Sequence, residues 1–69
     1  MNKEESLKVN RFVIMCVEQY ALHTNNSSKG AYALLFENGI IKELTDDYED
    51  LHGMSNIWIN DYIDGLLKK

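Results

Sequence analysis

Proline is absent from this chain, and cysteine occurs once, at position 16. A single cysteine cannot close an internal disulfide, and a lone thiol of this kind favours a reducing compartment. The longest apolar run covers residues 12–17, far short of the ~20 residues that a membrane-spanning helix needs. The start of the chain also lacks the basic segment and long apolar stretch of a signal peptide. These absences predict a soluble, cytoplasmic protein with no membrane partner.

Basic residues are also scarce. Seven Lys and Arg against eleven Asp and Glu give a formal net charge of −4, and the middle of the chain is the most acidic part. An acidic surface repels a phosphate backbone, so we expect no nucleic-acid partner. A helix-turn-helix could be drawn across residues 31–50, but its second helix would bring five acids into the major groove. A nucleic-acid-binding regulator is therefore the least favoured function.

What the chain does contain is helical periodicity. Apolar residues recur at helical spacing in four segments, at about residues 3–23, 28–38, 40–52 and 56–68. Short connections between four amphipathic helices favour packing side by side. The sequence therefore predicts an all-α protein, a compact bundle of about four helices that forms a single helical domain over residues 1–69.

The residues between these segments are suited to begin and end helices. Ser27 or Ser28 and Ser55 can cap helix N-termini. Gly39 and Gly53 can adopt the left-handed conformation that closes a helix. The predicted inward-facing stripes are Val9, Phe12, Val13, Cys16, Val17 and Tyr20 in the first segment, Ala31, Tyr32, Leu35 and Phe36 in the second, Ile40, Ile41, Leu44, Tyr48 and Leu51 in the third, and Trp58, Ile59, Tyr62, Ile63, Leu66 and Leu67 in the fourth.

Each residue that could carry chemistry has a structural use. Cys16 lies within an apolar stripe and is interpreted as a core residue, because a reactive thiol needs basic, partly exposed surroundings. His23 and His52 end predicted helices, where a cation interacts favourably with the helix dipole. No three or four ligands have the spacing of a metal site, and Asp61 and Asp64 lack the opposed environments of an acid–base pair. We expect no enzyme activity, no catalytic residues, no cofactor and no metal.

The acids along one edge of the third segment have no comparable structural use. Glu43, Asp47 and Asp50 follow one side of the third segment at helical spacing, where like charges repel one another. A basic partner would relieve that repulsion. The alternative interpretation is an ordinary solvated helix face.

Several apolar residues also lie off the stripes or at their edges. Met15 and Leu22 project from the polar side of the first segment, and Trp58 and Tyr62 lie beside Gly65, whose missing side chain is expected to permit a close approach. Single exposed apolar residues are normal in soluble proteins, but Trp, Tyr and Met are also enriched in interface cores. The candidate partner-binding residues are therefore Met15, Leu22, Glu43, Asp47, Asp50, Trp58 and Tyr62.

The chain also resembles a family of short bacterial proteins known only as a domain of unknown function. The resemblance covers nearly the whole length and rests on residues 13–21, Ala31-Tyr32, Leu35-Phe36, residues 38–41, Leu44, Tyr48 and Leu51-His52. Such proteins resemble the small partners encoded beside toxin-like enzymes, including ADP-ribosyltransferase-like ones. The resemblance therefore implies an antitoxin-like or accessory role, with no catalytic residues to carry over.

Together these features predict a non-catalytic protein-binding module. Its partner is expected to be another protein, and the resemblance implies a basic toxin-like enzyme in a bacterial toxin–antitoxin system. The alternative is a homo-oligomeric structural or interaction domain, in which the same apolar surface joins two copies of the chain.

Overall fold

A computed structural model describes residues 2–69, which form helices and no strand. The prediction of an all-α bundle is thereby confirmed. Within residues 2–69, none of the helices combines the length and the apolarity required of a membrane-spanning segment. The helices are α1 (Lys3–Thr24), α2 (Ser28–Glu37), α3 (Ile40–Asp46), α4 (Tyr48–Leu51) and α5 (Asn56–Leu67).

Side-chain caps fix where three of these helices begin. The Asn2 side chain accepts a hydrogen bond from the Glu5 N–H at 2.8 Å. Ser27 accepts one from the Gly30 N–H at 3.0 Å, and Ser55 accepts one from the Trp58 N–H at 3.1 Å. Each cap satisfies one of the N–H groups that have no partner inside the first helical turn. The predicted capping roles of Ser27 and Ser55 are confirmed.

The left-handed helix ends differ in part from the prediction. Gly39 has a φ of 73° between α2 and α3, as expected. The expectation for Gly53 is wrong, because the positive φ values in residues 2–69 belong to Gly39 and Asn25. Asn25, with a φ of 56°, ends α1, and its N–H points to the carbonyls of Ala21 and Leu22. Asparagine tolerates this conformation better than most side chains do.

The third predicted helix is divided in two. Asp47 has φ −101° and ψ 18° and separates α3 from α4, while its N–H still donates to the Glu43 carbonyl at 3.0 Å. Directly after this break, the Tyr48 ring meets the Phe12 ring of α1 edge-on, with centroids 5.4 Å apart. It also stacks on His52 at 4.7 Å. The apolar period continues through residue 47, so the sequence gives no sign of the break.

The core is built around α1, which packs against α2, α3 and α5. Cys16 is only 2% exposed, and its predicted place in the core is confirmed. Half of the buried residues come from α1, and the full set is Val9, Phe12, Val13, Cys16, Val17, Tyr20, Ala21, Ala31, Leu35, Ile40, Leu44, Leu51, Ile59 and Ile63.

Three aromatic residues of the predicted stripes lie outside this core. Tyr32 is 46% exposed, Phe36 is 62% exposed and Trp58 is 42% exposed. On α2, the neighbouring Ala31 and Leu35 fill the space against the rest of the bundle. The rings of Tyr32 and Phe36 instead stack on each other at the surface, with centroids 5.9 Å apart. A ten-residue helix packed on one side buries a narrower face than its apolar pattern suggests.

Candidate functional site

The outward face of α5 presents a stacked aromatic pair. Trp58 and Tyr62 are one helical turn apart, and their ring centroids lie 5.4 Å from each other at an interplanar angle of 18°. The Tyr62 hydroxyl donates a hydrogen bond to Glu43 Oε2 on α3 at 3.2 Å. This bond fixes the outer edge of the pair to the neighbouring helix, while Trp58 keeps much of its surface open to solvent.

The electrostatic setting of this pair is acidic. Burial raises the pKa of Tyr62, and the charges of Glu43 and Asp47 and the hydrogen bond to Glu43 raise it further. Asp47 therefore lies close enough to act on the same hydroxyl as Glu43. We call Glu43, Asp47, Trp58 and Tyr62 the acidic aromatic cluster.

No basic side chain forms an ion pair with the cluster within residues 2–69. The ion pairs in this part of the chain are Lys42–Asp46, at 2.6 Å, and His23–Asp64, at 2.9 Å. Lys42, the base nearest in sequence to Glu43, is thus paired with another acid. The two carboxylates of the cluster are left facing solvent and an aromatic surface, an arrangement suited to an incoming cation.

The remaining candidate residues lie elsewhere. Met15 is 43% exposed and Leu22 is 76% exposed, and both lie on the side of α1 opposite its buried residues. Asp50 is exposed on α4, and its backbone N–H donates to the Asp47 carbonyl at 3.0 Å. No side-chain hydrogen bond or ion pair within residues 2–69 joins it to the cluster. The interpretation of Gly65 is wrong, since a Cβ added there would meet nothing within 4 Å.

A second polar cluster was missed from the sequence. The Tyr20 hydroxyl of α1 donates a hydrogen bond to Asp64 Oδ1 of α5 at 2.6 Å. His23 Nε2 lies 2.9 Å from the other carboxylate oxygen, Oδ2. Asp64 therefore bridges two residues of α1 that lie almost one turn apart, and it does not point freely into solvent. The helical periodicity carries no signal for this pairing, because 44 residues separate Tyr20 from Asp64.

The pKa values follow from this geometry. Hydrogen bonds from Tyr20 and His23 lower the pKa of Asp64, because both stabilise the charged carboxylate. Burial, together with the hydrogen bond to Asp64, raises the pKa of Tyr20 to about 12. Tyr20 is only 3% exposed, so its hydroxyl needs this partner. The cluster accordingly ties α5 to α1.

Neither cluster has the make-up of a metal centre. Across the described residues, no three His, Cys, Asp or Glu side chains are grouped closely enough to hold a metal ion. A polar groove of about 330 Å³ lies between the start of α1 and the α3–α4 region. Burial raises the pKa of the Cys16 thiol to about 11, which keeps it in the unreactive protonated form at neutral pH.

Comparison with known sequences relates these features to a family. A family model described as a protein of unknown function (DUF3791) matches residues 11–69. The match spans α2 to α5 and most of α1, and it includes both polar clusters. No curated protein and no solved structure matches the chain.

Proposed function

We propose that this chain, which belongs to the DUF3791 family of proteins of unknown function, acts without catalysis by binding a basic protein. One observation carries the proposal. The stack of exposed Trp58 on half-buried Tyr62 lies beside Glu43 and Asp47, two carboxylates that form no ion pair within residues 2–69. An aromatic face next to uncompensated acids is a suitable receptor for an arginine or lysine side chain.

The energetics favour arginine in particular. A cation over the face of an indole gains ~0.5–2 kcal/mol, with the larger values where the contact is desolvated. A guanidinium can stack on Trp58 while its N–H groups reach a carboxylate, whereas an ammonium acts as a point charge. Tyr62 already donates to Glu43 Oε2, so the carboxylate is oriented before the partner arrives. Preorganisation of this kind reduces the entropic cost of binding.

The other candidate residues would extend the contact. Asp50 adds negative charge on α4 and would contribute to the field that steers a basic partner toward the cluster. Met15 and Leu22 supply exposed apolar surface on α1, which a partner larger than a single peptide would cover. In this arrangement Trp58 is the anchor of the interface.

The biological setting that we propose is an antitoxin-like or accessory role in bacteria. Its support is the resemblance to small proteins encoded beside toxin-like enzymes, together with the acidic net charge of −4. A short acidic protein can cover the basic surface of such an enzyme without chemistry of its own. The partner would then be a toxin-like enzyme with an exposed arginine at the contact.

The test begins with capture of the partner from the native cell by the tagged chain, followed by binding measurements with that purified partner. Trp58→Ala should weaken binding at least tenfold, as expected for a central aromatic anchor. Glu43→Gln combined with Asp47→Asn should slow association, and more strongly at low salt than at high salt. Circular dichroism of each variant establishes that it remains folded.

Glu37→Gln is the matched control for each acidic substitution made singly, because Glu37 is an exposed acid on α2 outside the cluster. It changes the net charge by the same amount as Glu43→Gln alone but should leave both rates unchanged. Unaltered affinity in folded Trp58→Ala would refute the proposal. Equal slowing by Glu37→Gln and by Glu43→Gln would mean that net charge, and not the cluster, attracts the partner.

A further inference from the structure

A second exposed surface lies where α1 and α2 pack together. Ile14 is 59% exposed, and Tyr32 and Phe36 are 46% and 62% exposed. Between the helices is a groove of about 270 Å³, lined by Val13, Ile14, Val17, Glu18, Ser28, Lys29 and Tyr32.

The charges of this groove are balanced. Glu18 of α1 and Lys29 of α2 both line it, and neither belongs to an ion pair within residues 2–69. One acid and one base therefore border an apolar floor. This differs from the acidic aromatic cluster, whose two charges have the same sign and would repel the same surface on another copy of the chain.

We propose that a second copy of this chain occupies the α1–α2 groove and forms a two-fold symmetric dimer. In such an interface both copies contribute the same patch. If one residue of the first copy contacts a given residue of the second, the reverse contact forms as well. Glu18 of each copy then lies across from Lys29 of the other, so the dimer forms two ion pairs and each charge is paired once. The Tyr32–Phe36 stacks and the two Ile14 side chains pack against each other between these ion pairs.

The charge pattern of the groove favours a second copy over an unrelated protein. Its lining carries one acid and one base on an apolar floor, and neither forms an ion pair within residues 2–69. A two-fold axis brings the acid of each copy to the base of the other, so the groove is complementary to itself.

The first experiment measures the mass of the full chain by light scattering and sedimentation over a range of concentrations. A concentration-dependent dimer is expected. Phe36→Ala and Ile14→Ala should each weaken it at least tenfold, whereas Ile57→Ala, which truncates a 76% exposed apolar residue of α5 outside the groove, should leave it unchanged. A monomer at all concentrations would overturn the proposal.

Charge reversal tests the pairing itself. Lys29→Glu places Glu18 opposite another glutamate, and Glu18→Lys places a lysine opposite Lys29, so each variant alone should be largely monomeric. When the two variants are mixed, every contact again joins an acid to a base, and a heterodimer should form. Both substitutions are on exposed residues, so the fold should be retained. Lys8→Glu, the same charge change outside this groove, should still dimerise.

These outcomes are independent of the proposed function. Trp58→Ala should dimerise as the unaltered chain does, even though it is expected to lose the basic partner. A dimer that the charge-reversed variants still form alone, or that their mixture fails to restore, would place the interface elsewhere and refute the assignment of the α1–α2 groove.

Discussion

Two tyrosine–carboxylate pairs link α5 to neighbouring helices, and they differ in burial and in geometry. On one side of the helix, Tyr20 of the core donates to Asp64 at 2.6 Å, and His23 binds the same carboxylate. On the other side, Tyr62 donates to Glu43 at 3.2 Å in solvent. The first pair has a hydroxyl that is buried with Tyr20, whereas the second has an exposed acid and a second exposed aromatic ring beside it.

The contrast indicates different uses for the same chemical pairing. A buried hydroxyl without a partner costs about 1–3 kcal/mol, so loss of the Tyr20–Asp64 bond would be felt by the fold. An exposed bond exchanges with water at little net cost, so Tyr62 and Glu43 can accept a new partner without loss of stability. We therefore expect the inner pair to control unfolding and the outer pair to control binding.

The largest difference between the contributions of the two pairs to stability is expected at high pH. The pKa of Tyr20 is raised to about 12 in the folded protein, above the ordinary tyrosine value near 10. Its contribution to stability is complete below pH ~10 and is lost as the pH rises toward 12, because the unfolded chain ionises first. The loss should approach roughly 2 kcal/mol by pH 11.5. Cys16 also has a raised pKa, of about 11, so the contribution of Tyr20 is measured as the difference between the unaltered chain and Tyr20→Phe, each unfolded in urea at pH 9 and pH 11.5.

Tyrosine-to-phenylalanine variants show which tyrosine causes this loss of stability at high pH. Tyr20→Phe should be less stable at pH 9 but should show a shallower decline toward pH 11.5. Tyr62→Phe should retain most of the decline of the unaltered protein, because the shift at this less buried residue is smaller. Identical pH profiles for Tyr20→Phe and the unaltered chain would refute the assignment.

The next largest effect is the difference in unfolding free energy between variants of the two carboxylates at neutral pH. Asp64→Ala should lower the free energy of unfolding by about 2 kcal/mol, because it leaves the Tyr20 hydroxyl buried without an acceptor. Glu43→Ala removes an exposed acceptor and should cost less than about 0.5 kcal/mol. Chemical denaturation of both variants gives the two values. Equal losses would mean that the outer pair also stabilises the fold.

The smallest effect is expected in acid. The pKa of Asp64 is lowered by its hydrogen bonds to Tyr20 and His23, so its contribution is present above the ordinary aspartate pKa and is lost as the pH falls through the folded value. Because the carboxylate is one-third exposed, the change should stay below about 1 kcal/mol. Thermal melts between pH 2 and pH 6 should show a shallower acid limb for Asp64→Asn, and a slope equal to that of the unaltered chain would count against it.

The helices could be predicted closely because their signals are local. Ser27 and Ser55 cap the helices that follow them, and apolar spacing defined α1, α2 and α5 to within about two residues at their ends. The break at Asp47 could not be predicted, because residues on both sides keep the helical period. It coincides with the packing of Tyr48 on Phe12, a contact between positions 36 residues apart.

The candidate surfaces were harder to predict from the sequence, because they depend on contacts between residues that are far apart in the chain. Helical spacing placed Trp58 beside Tyr62, but the hydrogen bond from Tyr62 to Glu43 depends on how α5 packs on α3. Tyr32 and Phe36 carry the same apolar signal as Leu35, and only the position of α1 decides which of them is buried. Nothing in the sequence pairs Asp64 with Tyr20, because their contact is a property of the assembled bundle.

The single thiol of Cys16 makes the protein its own reporter of structural opening. Its side chain is 2% exposed at the middle of α1, and its pKa is raised to about 11. A thiol reagent reacts with the thiolate and must reach it, so modification requires the helices around α1 to separate. Because the chain has no other cysteine, the labelling rate would report how fast the helices open at this one position. Partner binding and self-association should each slow the labelling of Cys16, and their effects can be measured without an engineered probe.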